Sequence, residues 1–221
     1  MQRGIKIVGI GGSSGPGSRV ERALQVCLNA AQDLGADVRL INGAELTMPL
    51  YTARTEVIDQ HATALIREVA DSDAVVVGSP AYHGTVSGLV KNALDHLEEL
   101  REDTRPYLTG RAVGCIAVGQ GWQGAVATLA TLRDITHALR GWPTPIGVAV
   151  GNGTTVFGHD GRCDDARVRD QLTLMAQQMV EFARMRRALV NSAPPEEHAE
   201  RADRERGVPA KSAGRAPHAV G

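Results

Sequence analysis

A regular alternation of short apolar runs with longer segments of helical period constrains the fold of this chain more than any other feature. The five apolar runs, rich in valine and isoleucine, span residues 5–10, 38–41, 74–78, 112–118 and 146–150. The last three lack polar alternation, which is typical of parallel strands buried on both faces. Candidate helices span residues 19–34, 57–70, 87–100, 126–140 and 164–187. This pattern predicts a doubly wound α/β fold, with right-handed crossovers that place helices on both faces of the sheet.

Five parallel strands with a Gly/Ser-rich loop after the first are compatible with the flavodoxin-like strand order 2-1-3-4-5. In this order, ligands bind at the carboxyl ends of strands 1, 3 and 4. The loops that follow Ile10, Gly78 and Val118 are therefore the candidate ligand loops.

The bulk composition excludes several classes of function. The chain has 221 residues and a formal net charge of -1, so no overall field recruits nucleic acid or an anionic membrane. Cys27, Cys115 and Cys163 are dispersed, which fits a reducing compartment better than a disulfide framework. No leader-like segment or membrane-length apolar run is recognisable, so we expect the protein in the cytoplasm.

A change of composition near residue 191 divides the chain into two expected parts. Residues 1–190 suit one flavodoxin-like domain, whereas residues 191–221 carry several prolines, five acidic residues and five basic residues. Val208 and Val220 are the only sizeable aliphatic side chains of this second part. Such a segment cannot bury enough apolar area to offset the entropy of ordering, so we predict a disordered tail.

The first candidate loop reads Gly11-Gly12-Ser13-Ser14-Gly15-Pro16-Gly17-Ser18-Arg19-Val20. Its glycines let the backbone approach a phosphate, and the following helix N-terminus adds a partial positive charge. Ser13 and Ser18 can donate hydroxyl hydrogen bonds, and Arg19 can make a charge-assisted contact. The loop matches neither a Walker A motif nor a dinucleotide fingerprint, so one terminal phosphate fits better than a pyrophosphate. The alternative is a flexible turn in which Ser18 only caps the helix.

The loop after the third strand reads Ser79-Pro80-Ala81-Tyr82-His83-Gly84-Thr85-Val86-Ser87. Pro80 stiffens the exit from the strand, Tyr82 offers a ring to a planar ligand, and Ser87 is expected to cap the next helix. We expect the backbone N–H groups from Ala81 to Gly84 to face the polar edge of such a ligand. The alternative is a proline turn with an exposed tyrosine and histidine.

Two segments resemble the NAD(P)H-dependent FMN reductase family. The motif Ser79-Pro80-x-Tyr82-x-Gly84-x-x-Ser87-Gly88-x-x-Lys91-x-x-Leu94-Asp95 is similar to the flavin-contact segment of that family. The motif Gly12-Ser13-x-x-Pro16-x-Ser18-Arg19 is similar to the phosphate loop of its alkanesulfonate-type branch. The likeness runs from about residue 6 to about residue 184. It implies hydride transfer from NADPH or NADH to N5 of FMN in a homodimer or homotetramer, and delivery of reduced FMN to a partner monooxygenase.

The resemblance also implies which residues contact FMN. The phosphate would be held by Ser13, Ser18, Arg19 and Val20. The isoalloxazine would be lined by Pro80, Ala81, Tyr82, His83 and Gly84. The glycine-rich third loop of the family corresponds to residues 119–124, and its three glycines, Gly124 included, permit close approach to a flat ligand. The residues of this loop that would contact the flavin are Gly119, Gln120, Gly121 and Trp122. Trp122 would wall the nicotinamide pocket, cover a subunit seam or pin the loop. Many relatives carry an arginine where this chain has Gly15, which leaves Arg19 as the main cation for the phosphate.

Two further groups of residues are weaker candidates. His83 could act as a general base, but flavin chemistry asks the protein mainly for orientation and electrostatics, so a role in lining the site is favoured. A cluster near the start of the last helix matches no standard metal site, so no metal is expected. Its members are His159, Asp160, Cys163, Asp164 and Asp165. Asp164 is expected to cap the last helix.

Rival functions remain open from the sequence. An FMN-retaining reductase of quinones, azo dyes, nitro compounds or chromate would share all of these motifs. A flavodoxin-like electron carrier is disfavoured because such carriers are usually strongly acidic around the flavin, whereas this chain is nearly neutral. A regulatory protein without turnover finds no support in the intact loops.

Overall fold

The computed structural model of the protein describes residues 3–13, 15, 17–53, 59–151, 156–158 and 162–192. Four residues singled out in the sequence lie outside the described ranges: Ser14 and Pro16 of the first loop, and His159 and Asp160 of the cluster near the start of the last helix. The predicted tail also lies outside them from residue 193 onward. The last helix extends to Ser192, and the boundary between domain and tail stays a prediction.

The strands form one parallel sheet in the order β2-β1-β3-β4-β5, and β6 also pairs with β4. The strands are β1 Lys6–Gly11, β2 Asp37–Ile41, β3 Ala74–Pro80, β4 Ala112–Val118, β5 Trp142–Pro143 and β6 Val148–Val150. The central strands β3 and β4 are almost wholly buried, because helices cover both faces of the sheet. The predicted flavodoxin-like, doubly wound architecture is confirmed.

The fifth position of the sheet holds two short strands, where the sequence predicts a single strand over residues 146–150. Strand β5 pairs with the start of β4, and β6 pairs with its end. Between them lies Pro145, which has no N–H to donate to a ladder. Strand β5 was not predicted because two residues, one of them proline, form no recognisable periodic run.

The helices are α1 Arg19–Asp33, α2 Gln60–Asp71, α3 Gly88–Asp95, α4 Trp122–Ala138 and α5 Ala166–Ser192, with 3-10 helices at Gly43–Leu46 and His96–Leu100. The single helix expected over residues 87–100 is therefore α3 followed by a 3-10 helix. The expected cap at Asp164 is wrong by one residue: Asp165 accepts hydrogen bonds from the N–H groups of Arg167 and Val168 at 2.9 and 3.1 Å. Two adjacent aspartates offer the same signal, and only the backbone decides between them. No helix in the described ranges is long and apolar enough to cross a bilayer.

Two apolar clusters hold the helices on the sheet. Side chains of α1 and α5 pack on one face together with Ile7 and Val76, and those of α2, α3 and α4 pack on the other with Val8 and Val75. Neighbouring residues of a strand thus serve opposite cores, as the pleat requires. The two cores fix the carboxyl ends of β1, β3 and β4 side by side, where the candidate loops begin.

The three cysteines are buried free thiols. Burial raises the pKa of Cys27 to about 12 and that of Cys115 to about 11. Both thiols therefore stay protonated at neutral pH and pack as small apolar side chains.

Candidate functional site

The loops after β1, β3 and β4 meet at the carboxyl edge of the sheet around an open cavity of about 590 Å³. This volume is typical of a pocket for a small-molecule ligand. The cavity is lined by Ser13, Ser18, Arg19, Val20, Pro80, Ala81, Tyr82, His83, Gly84, Val118, Gly119, Gln120, Gly121 and Gly124. Every residue that the sequence analysis placed near a flavin belongs to this lining except Trp122. Val118, the last residue of β4, was not predicted to line the site, and Gly124 was predicted only as a glycine of the third loop.

The first loop is held against the third strand and α3 by a close contact at Gly12. The N–H of Gly12 donates to the carbonyl oxygen of Gly78 at 2.8 Å. The Ser87 hydroxyl donates to the carbonyl oxygen of Gly12 at 2.9 Å. A Cβ at position 12 would lie only 1.9 Å from Cγ2 of Val90, so the packing of α3 requires a glycine here.

The first turn of α1 forms a cradle that suits an anion. The Oγ of Ser18 accepts a hydrogen bond of 3.2 Å from the N–H of Glu21, which confirms that Ser18 caps the helix. Within the described residues the Ser18 hydroxyl donates no hydrogen bond, so its hydrogen can point to a ligand. The backbone N–H groups of Arg19 and Val20 have no hydrogen-bond partner among the described residues, as is usual for the first turn of a helix. Capping and ligand binding are therefore compatible roles for Ser18, rather than alternatives.

The central loop turns sharply between Tyr82 and Thr85. These residues exchange two backbone hydrogen bonds, of 3.0 and 3.1 Å. Between them His83 has a φ of 52° and Gly84 a φ of 83°, the left-handed pair typical of a type I′ turn. A positive φ is uncommon for residues other than glycine. His83 adopts it because the turn imposes it.

The donors of the central loop differ from the expectation. The N–H of Ala81 donates to the carbonyl oxygen of Val118 at 2.8 Å, and the N–H of Tyr82 donates to Thr85. The Ala81 N–H thus serves the sheet and the Tyr82 N–H serves the turn, and neither is free for a ligand. The expectation that they face the polar edge of a ligand is therefore wrong. The N–H groups of His83 and Gly84 have no partner within the described ranges.

The third loop lets the backbone pass close to the cavity. A Cβ at Gly119 would lie 2.9 Å from the carbonyl oxygen of Gly121, which explains the glycine at position 119. Gly124, in the first turn of α4, faces Ala81 of the central loop, and a Cβ there would lie 3.6 Å from that of Ala81. The second and third loops therefore contact each other through small residues.

Trp122 begins α4 and packs on the end of β6. A Cβ at Gly151 would lie 2.7 Å from Cδ2 of the Trp122 ring, and 54% of the tryptophan remains exposed. This contact agrees with the predicted role as an anchor of the loop. Contact of Trp122 with a nicotinamide or a second subunit stays a prediction.

Arg22 is a neighbour of the site that the sequence analysis missed. Its Nη1 donates to the carbonyl oxygen of Gly158 at 2.8 Å, and its Nη2 lies 3.8 Å from where a Cβ of Gly17 would stand. The residue thus connects the first turn of α1 with the segment between β6 and α5. A basic residue one helical turn after a phosphate-type loop is the signal that could have identified it.

The residues of the cavity fit a flavin mononucleotide. Of the lining residues that the structure describes, only Arg19 carries a charged side chain, which matches one terminal phosphate better than a pyrophosphate. His83 and Gly84 of the central loop offer two backbone donors, and a Cβ at Gly84 would meet no atom of the described residues within 4 Å. Pro80 and Val118, which also line the cavity, supply apolar surface for a planar ring system.

Fold and site together define the class: a flavodoxin-like α/β protein with an anion cradle and an open cleft at the carboxyl edge of the sheet. The family model described as NADPH-dependent FMN reductase matches residues 5–155. The chain belongs to this family and is an oxidoreductase that uses FMN and a nicotinamide cofactor. The family, the enzyme class and the cofactors expected from the sequence motifs are confirmed.

Individual relatives agree with this assignment. The FMN-dependent NADPH-azoreductase of Staphylococcus aureus is 29% identical over 150 residues, which cover 66% of this chain and 71% of the relative. Among solved structures, the flavoenzyme NAD(P)H:(acceptor) oxidoreductase FerB of Paracoccus denitrificans has a TM-score of 0.67 at 20% identity, covering 82% of this chain and 98% of that chain. The apo form of the NADH:FMN oxidoreductase EMOB has a TM-score of 0.63 at 19% identity, and the match covers 87% of this chain and 92% of that chain. At these identities the solved structures support the fold alone.

Proposed function

We propose that this protein is an NAD(P)H:FMN oxidoreductase that binds FMN in the cavity at the carboxyl edge of the sheet and releases reduced FMN to a partner, such as a flavin-dependent monooxygenase. The observation that carries the proposal is the convergence of three loops on one cavity, whose lining includes both Arg19 and the turn at His83 and Gly84. When bound, FMN supplies the redox chemistry, because its N5 accepts hydride from the nicotinamide. The proposal includes a cytoplasmic location and a homodimer or homotetramer.

The residues of the chain orient the flavin and leave the chemistry to it. Ser13, Ser18, Arg19 and the N–H groups of the first turn of α1 would hold the phosphate. The N–H groups of His83 and Gly84 would donate to the polar edge of the isoalloxazine. Because Gly84 carries no side chain, one face of the cleft stays open for a nicotinamide. His83 lines the site and holds no proton that the transfer requires.

An FMN-retaining reductase is the second candidate. The Staphylococcus aureus relative is named an FMN-dependent NADPH-azoreductase, so an acceptor other than free flavin is a reasonable alternative for this chain. In that case FMN would stay on the protein, and a quinone, azo dye, nitro compound or chromate would accept its electrons.

Titration of the purified protein with FMN, followed by steady-state kinetics with NADPH and NADH, tests both candidates. Quenching of flavin fluorescence on addition of protein, and sequential kinetics with free FMN as substrate, would support the leading proposal. Ping-pong kinetics with FMN retained through gel filtration would support the second candidate. A protein that neither binds FMN nor oxidises either nicotinamide in its presence would contradict both.

A further inference from the structure

The carboxylate of Glu21 occupies a donor that the phosphate loop would otherwise offer to a ligand. Its Oε2 accepts a hydrogen bond of 2.9 Å from the backbone N–H of Gly17, which has a left-handed φ of 68°. In a usual capping box, the acidic residue at this helical position bonds back to the N–H of the cap, here Ser18. In this chain it reaches one residue further back, into the loop itself.

This carboxylate also places a negative charge beside the residues of the first loop that line the cavity, because its partner Gly17 directly precedes Ser18 and Arg19. Among the lining residues in the described part of the chain, Arg19 is the only charged side chain, and Arg22, close to Gly17, already donates to the carbonyl oxygen of Gly158. A phosphate dianion held by Ser18 and Arg19 would therefore have this carboxylate as a neighbour on the same loop. It would also lack the N–H of Gly17 unless Glu21 moved away.

We propose that Glu21 weakens the hold of the loop on the phosphate of FMN and thereby keeps the flavin exchangeable. The inference rests on the proposed function, and it favours FMN as a substrate that leaves over FMN as a retained group. An acidic residue in the first turn of a helix also stabilises that helix, through the macrodipole and the hydrogen bond to Gly17. The experiment must separate this structural role from an effect on the ligand.

The variant Glu21→Gln separates the structural role of Glu21 from its effect on the ligand. Its amide oxygen can still accept the hydrogen bond from Gly17, while the negative charge is removed. We expect the dissociation constant of FMN to fall about two- to fivefold, which is the size of effect that one exposed charge has on another. Riboflavin, which has no phosphate, should bind wild type and variant equally. Raising the salt concentration to about 1 M should shrink the FMN difference, since the Debye length falls to about 3 Å.

Glu181→Gln is the matched control. Glu181 lies beside Trp142, and the strand of Trp142 pairs with the start of β4. The Glu181→Gln substitution therefore removes the same charge at the amino edge of the sheet, opposite the carboxyl edge where the cavity lies. Both flavins should bind this variant as they bind wild type. Binding is measured by fluorescence titration, and the dissociation rate by stopped flow, with no need for turnover.

The outcomes distinguish this inference from the proposed function. If wild type binds FMN more tightly than riboflavin and Glu21→Gln only lowers the melting temperature, Glu21 is structural and the inference is wrong, while the proposed function stands. An equal gain for FMN and riboflavin would also contradict it. If neither wild type nor variant binds FMN, the proposed function and this inference fail together.

Discussion

The hydroxyl of Ser87 donates a hydrogen bond of 2.9 Å to the carbonyl oxygen of Gly12, and thereby joins two of the three loops around the cavity. The N–H of Ser87 donates to Oγ of Ser79 at 3.0 Å, and its own Oγ accepts from the N–H of Val90 at 3.2 Å. One buried serine thus connects the phosphate-type loop, the end of β3 and the start of α3. The position of the first loop relative to the central loop depends on a side chain that does not line the cavity.

Replacing Ser87 by alanine should lower both stability and FMN affinity. The change removes a helix cap and leaves the buried carbonyl of Gly12 with one partner fewer, so we expect a loss of about 1–3 kcal/mol in the free energy of unfolding. Urea denaturation measures this loss, and fluorescence titration measures the affinity. Ser72→Ala is the control, because the Ser72 hydroxyl is also buried and bonds to the carbonyl of Val69 at 2.8 Å, but at the amino edge of the sheet. Similar losses of FMN affinity in both variants would show that stability alone causes the effect.

Replacing Gly12 by alanine should disturb the first loop through a specific clash. The new Cβ would lie 1.9 Å from Cγ2 of Val90, so either α3 or the loop must shift. We expect a destabilisation of about 1–3 kcal/mol, as for other overpacked core positions. Because Val90→Ala removes the clashing methyl group, the double variant should recover part of the loss of Gly12→Ala. Strictly additive losses in a double-mutant cycle would mean that this contact does not set the loop position.

Replacing Arg19 by alanine should weaken the binding of FMN but not of riboflavin. A charge-assisted contact to the phosphate is worth about 1.5–3 kcal/mol, which corresponds to roughly a ten- to hundredfold increase in the dissociation constant. The two flavins share the isoalloxazine, so riboflavin reports any general damage to the site. Equal losses for both flavins would show that Arg19 acts through the fold of the loop.

Much of this molecule could be predicted from the sequence because its strands are buried on both faces and its ligand loops follow them directly. The runs rich in valine and isoleucine predicted β1, β3 and β4. Because these strands are parallel neighbours in the sheet, the loops that follow them lie together at its carboxyl edge. Contacts set by packing could not be predicted: the bond from Ser87 to Gly12, the use of the Ala81 N–H by Val118, and the left-handed φ of His83. Each depends on where a distant segment lies, which local periodicity does not contain.

Removing residues 193–221 should leave stability and FMN reduction unchanged. The removed segment has Val208 and Val220 as its only sizeable aliphatic side chains, so it has little apolar area to bury. A chain that ends at Ser192 keeps all of α5. Thermal denaturation and NADPH oxidation with FMN are the measurements. A drop of many degrees in the melting temperature, or loss of activity, would mean that the segment binds to the domain or to another subunit.

Replacing Gly84 by valine should abolish FMN reduction while the sheet stays folded. Gly84 has a φ of 83°, and a Cβ there would point into space with no neighbour within 4 Å, on the lining of the cavity. The valine would therefore obstruct the isoalloxazine end of the cleft, in addition to a backbone strain of about 1–2 kcal/mol. Gly35→Val is the matched control: Gly35 has a φ of 85° and equally open surroundings, but it lies in the turn between α1 and β2, at the amino edge of the sheet. Circular dichroism and melting temperature should change alike in the two variants, because the strain is alike. If Gly35→Val reduces FMN normally and Gly84→Val does not, obstruction of the cleft is the cause. A folded and fully active Gly84→Val variant would place the flavin elsewhere, and the proposed binding mode would have to be abandoned.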